Sequence, residues 1–290
     1  MATLRDIKRR INSVKSTAKI TRAMKMVSAA KLRRAQERMF ALRPYAEKIG
    51  EVLSSLSQPV EQDIHPLLMP RPRKTVEVLI LTSDKGLCGA FNSNVIKAGV
   101  NLINRLKSEG FEVSISTIGR KARDYFKRRG VELREVWTGL SGKITYSSAQ
   151  DIARNLMEHY MDETFDEVHL VYNEFKTVVA QKVVELKLLP IAPVEHETEK
   201  EKEMKDFLFE PSEEEVFNRL LPKSIEILVY RALLESQASE EAARMTAMEN
   251  ATTNAEDMID RLTLEYNKAR QASITKELMD IVGGAEALKE

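Results

Sequence analysis

The turn Ser83-Asp-Lys-Gly-Leu-Cys-Gly-Ala-Phe-Asn92 is where chemistry would first be sought, since two glycines, a thiol, an acid and a base crowd into it. It follows a short apolar run, Thr75–Thr82, so a phosphate-binding turn is the first idea to test. Such a turn needs G-x-G-x-x-G, or a G-K-[ST] ending whose lysine and hydroxyl reach phosphate and metal. Gly86 and Gly89 fit neither spacing and read as residues of a tight turn. Cys88 is the only cysteine, so no intrachain disulfide can form. A cysteine nucleophile needs a histidine base or an electropositive setting. None of His65, His159, His169 and His196 stands in a motif with it, so the thiol reads as structural and half-buried. The same histidines lack metal-ligand spacing, and neither paired carboxylates nor a G-x-S-x-G elbow stands out. Catalytic, cofactor-binding and metal residues are therefore expected to be none.

What the chain does have is charge, unevenly placed. Its 290 residues sum to a net charge of +1. Yet residues 1–48 carry fourteen bases against Asp6, Glu37 and Glu47, and residues 213–265 carry twelve acids against five bases. Basic helices meet phosphates, anionic lipid or acidic protein. Here an acidic partner lies in the same chain.

Spacing explains how those charges are carried. Leu4, Ile7, Ile11, Val14, Ala18, Thr21, Lys25, Ser28, Leu32, Ala35, Met39 and Leu42 alternate by three and four, and a second stripe (Ile20, Met24, Val27) runs beside Lys25. Thr3 with Asp6 caps the start of this helix, which bends near Arg43-Pro44 and resumes to about Leu56. Met245, Met248, Thr252, Ala255, Ile259, Leu262, Tyr266, Ala269 and Ser273 keep the same alternation. With no Gly or Pro between Pro222 and Gly283, this second helix reaches roughly 60 residues, or about 90 Å at 1.5 Å per residue. Two seams of like character and opposite flanking charge predict an intrachain coiled coil. Ser212 and Glu215 have the spacing of a capping box at its start.

Pro59, Pro66, Pro70 and Pro72 mark a linker. Beyond it the chain alternates strands (75–82, 111–118, 131–137, 167–172) with helices (93–109, 121–129, 147–164), and 178–189 reads as an edge strand or hairpin arm. That order predicts a Rossmann-like α/β domain. The expected segments are an N-terminal coiled-coil helix (1–57), a linker (58–74), the α/β domain (75–210) and a C-terminal coiled-coil helix (211–290). An acid-rich loop spans 195–215. No apolar run nears the 18 residues of a membrane span, and the basic N-terminus also has the composition of a mitochondrial transit peptide.

Four blocks carry a resemblance: Ile7-Lys-Arg-Arg-Ile-Asn-Ser-Val-Lys-Ser-Thr-Ala-Lys-Ile-Thr-Arg-Ala-Met-Lys-Met-Val27 with Arg43-Pro-Tyr-Ala46, then Thr82–Asn92, then Glu235–Thr252 running on to Ala255, and Tyr266-Asn-Lys-Ala-Arg-Gln-Ala-Ser-Ile-Thr-Lys-Glu-Leu278. Together they resemble the gamma subunit of F-type ATP synthases, the central rotor shaft. The resemblance places the basic N-terminus inside the working protein. It implies a non-catalytic subunit, one copy per complex, standing in an alpha3beta3 hexamer above the epsilon subunit and the membrane c-ring. Ion-driven rotation of the ring would turn the shaft and bring the beta catalytic sites through their conformations in sequence. It also implies contacts: Met24, Lys25, Lys85, Arg270, Gln271 and Ile274 toward the beta subunit, Phe209, Glu210 and Pro211 toward epsilon and the c-ring. No cofactor, small-molecule substrate or nucleic acid is implied, and the location is the cytoplasmic face of the bacterial inner membrane. Members with a redox insert carry paired cysteines, absent here. The residues alone leave two alternatives, a coiled-coil arm binding nucleic acid and a nucleotide-dependent enzyme built on the α/β domain.

Overall fold

The computed structural model describes residues 3–56, 65–191 and 213–287. Two long helices bracket the chain, α1 (Leu4–Leu56) and α5 (Glu213–Ala287). Between them lie β1 (Thr75–Leu81), α2 (Phe91–Ser108), β2 (Glu112–Ile118), α3 (Arg120–Lys127), β3 (Glu135–Trp137), α4 (Tyr146–Met161), β4 (Glu167–Phe175) and β5 (Gln181–Leu189). By contacts the chain forms two compact units, Met1–Ser28 with Met245–Glu290, and Ala29–Arg244.

In the first unit α1 and α5 run antiparallel, as their contacts require: Thr21 meets Thr252, Lys25 meets Glu249, and further along Ile7 and Ile11 pack on Leu262. The start of α1 is fixed by Thr3 and Asp6. The Asp6 N–H donates to Thr3 Oγ1 at 3.3 Å, and the Thr3 hydroxyl donates to the Asp6 carboxylate at 2.7 Å. That bond from Thr3, more than the nearby Arg9, holds the Asp6 carboxyl below its usual range. Side-chain caps of this kind satisfy the amides that have no helical partner. Every seam position from Leu4 to Leu42 is buried or half-buried, while Ile20 and Val27 of the neighbouring stripe lie more than half exposed. The 3-4 register therefore selects the buried face.

The second unit is built on a five-stranded sheet of order β3-β2-β1-β4-β5. β1 to β4 are parallel, with Val76 opposite both Val113 and Glu167, and β5 closes the sheet antiparallel to β4. Parallel strands covered on both faces need near-continuous apolar sequence, and all of β1 after Thr75 is buried, Glu77 included. Val76, Val78 and Ile80 face α2 and α3, packing on Val95, Leu102 and Phe126. Leu79 and Leu81 face the other way, into α4 and the first part of α5, among Leu156, Tyr160, Phe165, Ile225 and Val229. α5 thus supplies one of the layers over the sheet.

Several expected boundaries move. β3 is only three residues long, and just before it Arg134 lies beside the buried Glu77 at 3.2 Å and over the Phe165 ring. α4 ends at Met161, where Glu163 takes a left-handed φ of 57°. β4 runs on to Phe175, because β5 pairs with it that far. Helix α1 is continuous through Pro44. Most of the acid-rich stretch, residues 58–64 of the linker and the Ser212 cap lie outside the described residues.

Candidate functional site

The crevice beyond the carboxyl ends of parallel strands, at the point where strand order reverses, is where open α/β sheets bind ligands. Here that point falls between β1 and β4, and the chain fills it with its own groups. Asp84, buried just after β1, accepts the Arg120 N–H at the start of α3 (3.1 Å) and the Gly139 and Ser141 N–H groups (2.9 and 3.3 Å). Backbone amides at a helix start are what a phosphate would use. Here this chain's own acceptors occupy the first amides of α3: Asp84 takes Arg120, the Ser83 carbonyl takes Lys121 (3.2 Å) and the Thr82 hydroxyl takes Ala122 (2.9 Å).

α5 covers the rest. Ser239 donates its hydroxyl to the Asn173 carbonyl at 3.2 Å, and Leu233, Gln237 and Glu240 wall off a void of about 30 Å³ above Thr82 and Gly119. That is room for about one water. The closeness is enforced by Gly119, at φ 92°, where a Cβ would stand 2.2 Å from the Thr82 carbonyl oxygen. A nucleotide has no place in this crevice.

The turn itself is a hydrogen-bonded knot. The Asn92 amide donates to the Ser83 hydroxyl (2.9 Å) and to Cys88 Sγ (3.1 Å), while the Ser83 N–H donates to Asn92 Oδ1 (2.9 Å). Cys88 is 2% exposed, more deeply buried than the half-buried thiol expected, and burial pushes its pKa up. A protonated, enclosed thiol is no nucleophile. Left-handed backbone falls at Leu87 and Gly89, not at Gly86, over which the Lys121 side chain lies. The tight-turn reading therefore holds for one glycine of the two.

A charge cluster stands on the adjoining turn of α5. Arg244, 7% exposed, donates to Glu240 at 2.5 Å and forms an ion pair with Glu241 at 2.9 Å; Glu241 also meets Lys31 of α1 at 3.6 Å, and the Ser141 hydroxyl donates to Glu240 at 3.2 Å. Burial pushes the Glu240 carboxyl above its ordinary value against the pull of Arg244. Neighbouring groups make this a positioning device, binding α1, α5 and the loop after β3 into one piece.

Among the positions singled out by sequence, Lys25 is engaged with Glu249 at 2.7 Å, and Arg22 pairs with Glu256 beside it. Met24 is half-buried next to them. Arg270, Gln271 and Ile274 are exposed on α5 beyond Tyr266, the last large side chain packed against the Ile7–Ile11 cluster. Arg270 lies about 30 Å along the helix from Glu249, at 1.5 Å per residue, so these residues line a surface and do not converge. Lys85 is exposed in the second unit. Phe209, Glu210 and Pro211 lie outside the described residues. Sequence reasoning missed the buried Asp84 and Arg244, for which no motif exists. It also missed a second run of bases, Arg120-Lys-Ala-Arg-Asp-Tyr-Phe-Lys-Arg-Arg129, plainly visible in the chain. Exposed apolar residues then crowd the end of α5: Ile274, Leu278, Met279, Ile281 and Val282, each at least 54% exposed.

A family model described as ATP synthase matches residues 3–288. The ATP synthase gamma chain of Pelotomaculum thermopropionicum is 49% identical over 289 residues, covering 100% of each chain. Among solved structures, a chain in the central stalk/c-ring of the Tetrahymena thermophila mitochondrial ATP synthase aligns at 28% identity and a TM-score of 0.59, over 80% of this chain and 99% of that one. A chain of the Euglena gracilis mitochondrial ATP synthase (OSCP/F1/c-ring, rotational state 3) aligns with a TM-score of 0.69 over 98% and 94% of the two chains, and at 20% identity it speaks for the fold alone. The match runs from end to end at close to half identity, and this chain belongs to the family of ATP synthase gamma chains.

Proposed function

We propose that the chain is the central-stalk rotor subunit of an ATP synthase, coupling ion-driven rotation of the c-ring to sequential conformational changes at the beta catalytic sites and catalysing nothing itself. The observation that carries this reading is the end-to-end likeness to gamma chains at close to half identity. The closed crevice is consistent with it, because a shaft needs no ligand of its own. So is the helix pair: a turning element can bias the beta sites only through contacts that differ between their states, and the exposed end of α5 offers an asymmetric surface for such contacts.

In this reading Met24, Lys25, Lys85, Arg270, Gln271 and Ile274 face the beta subunits of the alpha3beta3 hexamer, and Phe209 and Glu210 face epsilon and the c-ring. Segments 1–57 and 211–290 form the shaft, 58–74 the linker and 75–210 the foot domain. No helix among the described residues is long and apolar enough to cross a membrane. We place the subunit in the peripheral sector of a membrane-bound complex, on the cytoplasmic face of the bacterial inner membrane. Kinship with bacterial gamma chains supports that side.

Reconstituted complex carrying Arg270→Ala, or lacking the α5 end from Ala269 onward, should hydrolyse ATP while pumping fewer ions per ATP than wild type. Single-site ATP turnover on beta should be unchanged. Normal pumping after loss of residues 240–290 would overturn the proposal.

A further inference from the structure

The face of the sheet covered by α2 and α3 carries a groove of about 480 Å³ that the proposed function leaves unused. Its floor is apolar: Ile96 and Val100 of α2 and the ring of Tyr125 in α3. Its rim is basic, with Lys97 on one wall and Lys121, Arg128 and Arg129 on the other. Together α2 and residues 120–129 hold nine bases and a single acid, Asp124, in a chain whose net charge is +1. That acid is already taken, since the Arg123 guanidinium donates to it at 2.8 and 2.9 Å. Lys97, Lys121 and Arg128 have no ion-pair partner among the described residues, and all three are exposed. Like charges gathered without counter-charge repel one another, and an incoming anionic surface relieves that repulsion.

We propose that this groove docks an acidic, amphipathic polypeptide segment of a partner protein. The observations favour that occupant over a small polyanion. From Lys121 to Arg128 the bases run about 10 Å along the chain at 1.5 Å per residue, and the amides at the start of α3 that would cradle a phosphate are engaged by Asp84, the Ser83 carbonyl and the Thr82 hydroxyl. They also favour it over nucleic acid, whose interfaces are strongly polar and use open aromatic faces for stacking. Here the floor is aliphatic, and the Arg129 guanidinium covers the Tyr125 ring at 3.6 Å. An acidic helix laid in the groove seats apolar residues spaced by three and four on Ile96 and Val100, with its carboxylates on the basic rim. Charge sets encounter and register, and the floor supplies affinity.

The test uses the full-length chain and a fluorescent synthetic helix of Glu and Leu at amphipathic spacing, followed by anisotropy at about 150 mM salt. The amphipathic peptide should bind, and a scrambled peptide of equal composition should bind several-fold more weakly. Lys97→Glu/Lys121→Glu/Arg128→Glu should weaken binding at least about tenfold, and Val100→Ser several-fold, with melting temperatures unchanged. Equal binding of the scrambled peptide, or indifference to the charge reversals, overturns the proposal, as does tighter binding of tripolyphosphate, single-stranded DNA or anionic vesicles than of the peptide. Because the readout needs no assembled motor, its failure leaves the rotor reading untouched.

Discussion

Glu167 shows how a single side chain in this fold can carry a measurable load. It is 3% exposed at the start of β4 and is met by Arg73 at 2.8 Å, Lys187 at 3.0 Å and His169 at 2.6 Å. Burial alone would raise its pKa, but the hydrogen bonds from His169 and Lys187 outweigh burial and hold the carboxyl at about 2, against an ordinary 4.5. A carboxyl depressed by folding adds stability that is full above its unfolded pKa and disappears as pH falls through the folded one. Glu167→Gln should therefore cost about 2 kcal/mol at neutral pH, after discounting the half-exposed Arg73 and Lys187. The gap to wild type should close between pH 4.5 and 2. Chemical denaturation at a series of pH values measures this, and a gap independent of pH would refute it. Asp84 teaches the complementary lesson. In sequence it is one acid in a glycine-containing turn, and only the fold brings Arg120, Gly139 and Ser141 to it from as far as 57 positions away.

At the scale of elements, the helix pair depends on a seam that mixes apolar and small polar residues. Thr21 and Thr252 meet hydroxyl to hydroxyl at 2.7 Å, and each also lies within reach of a carbonyl of its own helix, Ala18 and Met248. Replacing either with Val removes the cross-helix bond but leaves no stranded donor, so each single change should cost about 1 kcal/mol. The double Val variant should cost clearly less than the sum, the mark of residues in contact. Strict additivity in thermal or denaturant unfolding would mean that the hydroxyls do not interact. Opposite charge beside the seam, Lys25 with Glu249 and Arg22 with Glu256, selects the pairing more than it strengthens it, since exposed ion pairs are worth 1 kcal/mol or less. These elements were legible because a 3-4 period and a capping threonine are local signals. The buried ion pair of Arg134 with Glu77 just before β3 was not, because it joins residues 57 positions apart that only the fold brings together.

For the whole molecule, sequence revealed the family and the alternation of elements. What it could not supply was the reason the crevice is closed, which depends on α5 returning to lie across the sheet some 150 residues after β1. The proposed contact residues were legible only through resemblance: nothing in the local pattern of Arg270 or Gln271 distinguishes them from other exposed helix positions. The exposed apolar end of α5 has a consequence of another kind, in the life of the protein before assembly. Ile274, Leu278, Met279, Ile281 and Val282 form a hydrophobic surface on a newly made chain, and such surfaces are recognised by chaperones and proteases or drive aggregation. The cell should therefore tolerate this polypeptide only in proportion to the partners that cover it. In pulse-chase labelling, the chain made alone should vanish several-fold faster than when co-expressed with the rest of the complex, and Ile274→Ser/Leu278→Ser/Ile281→Ser should lengthen its solitary lifetime. Equal lifetimes in all three cases would show that this end is not what marks an unassembled copy for disposal.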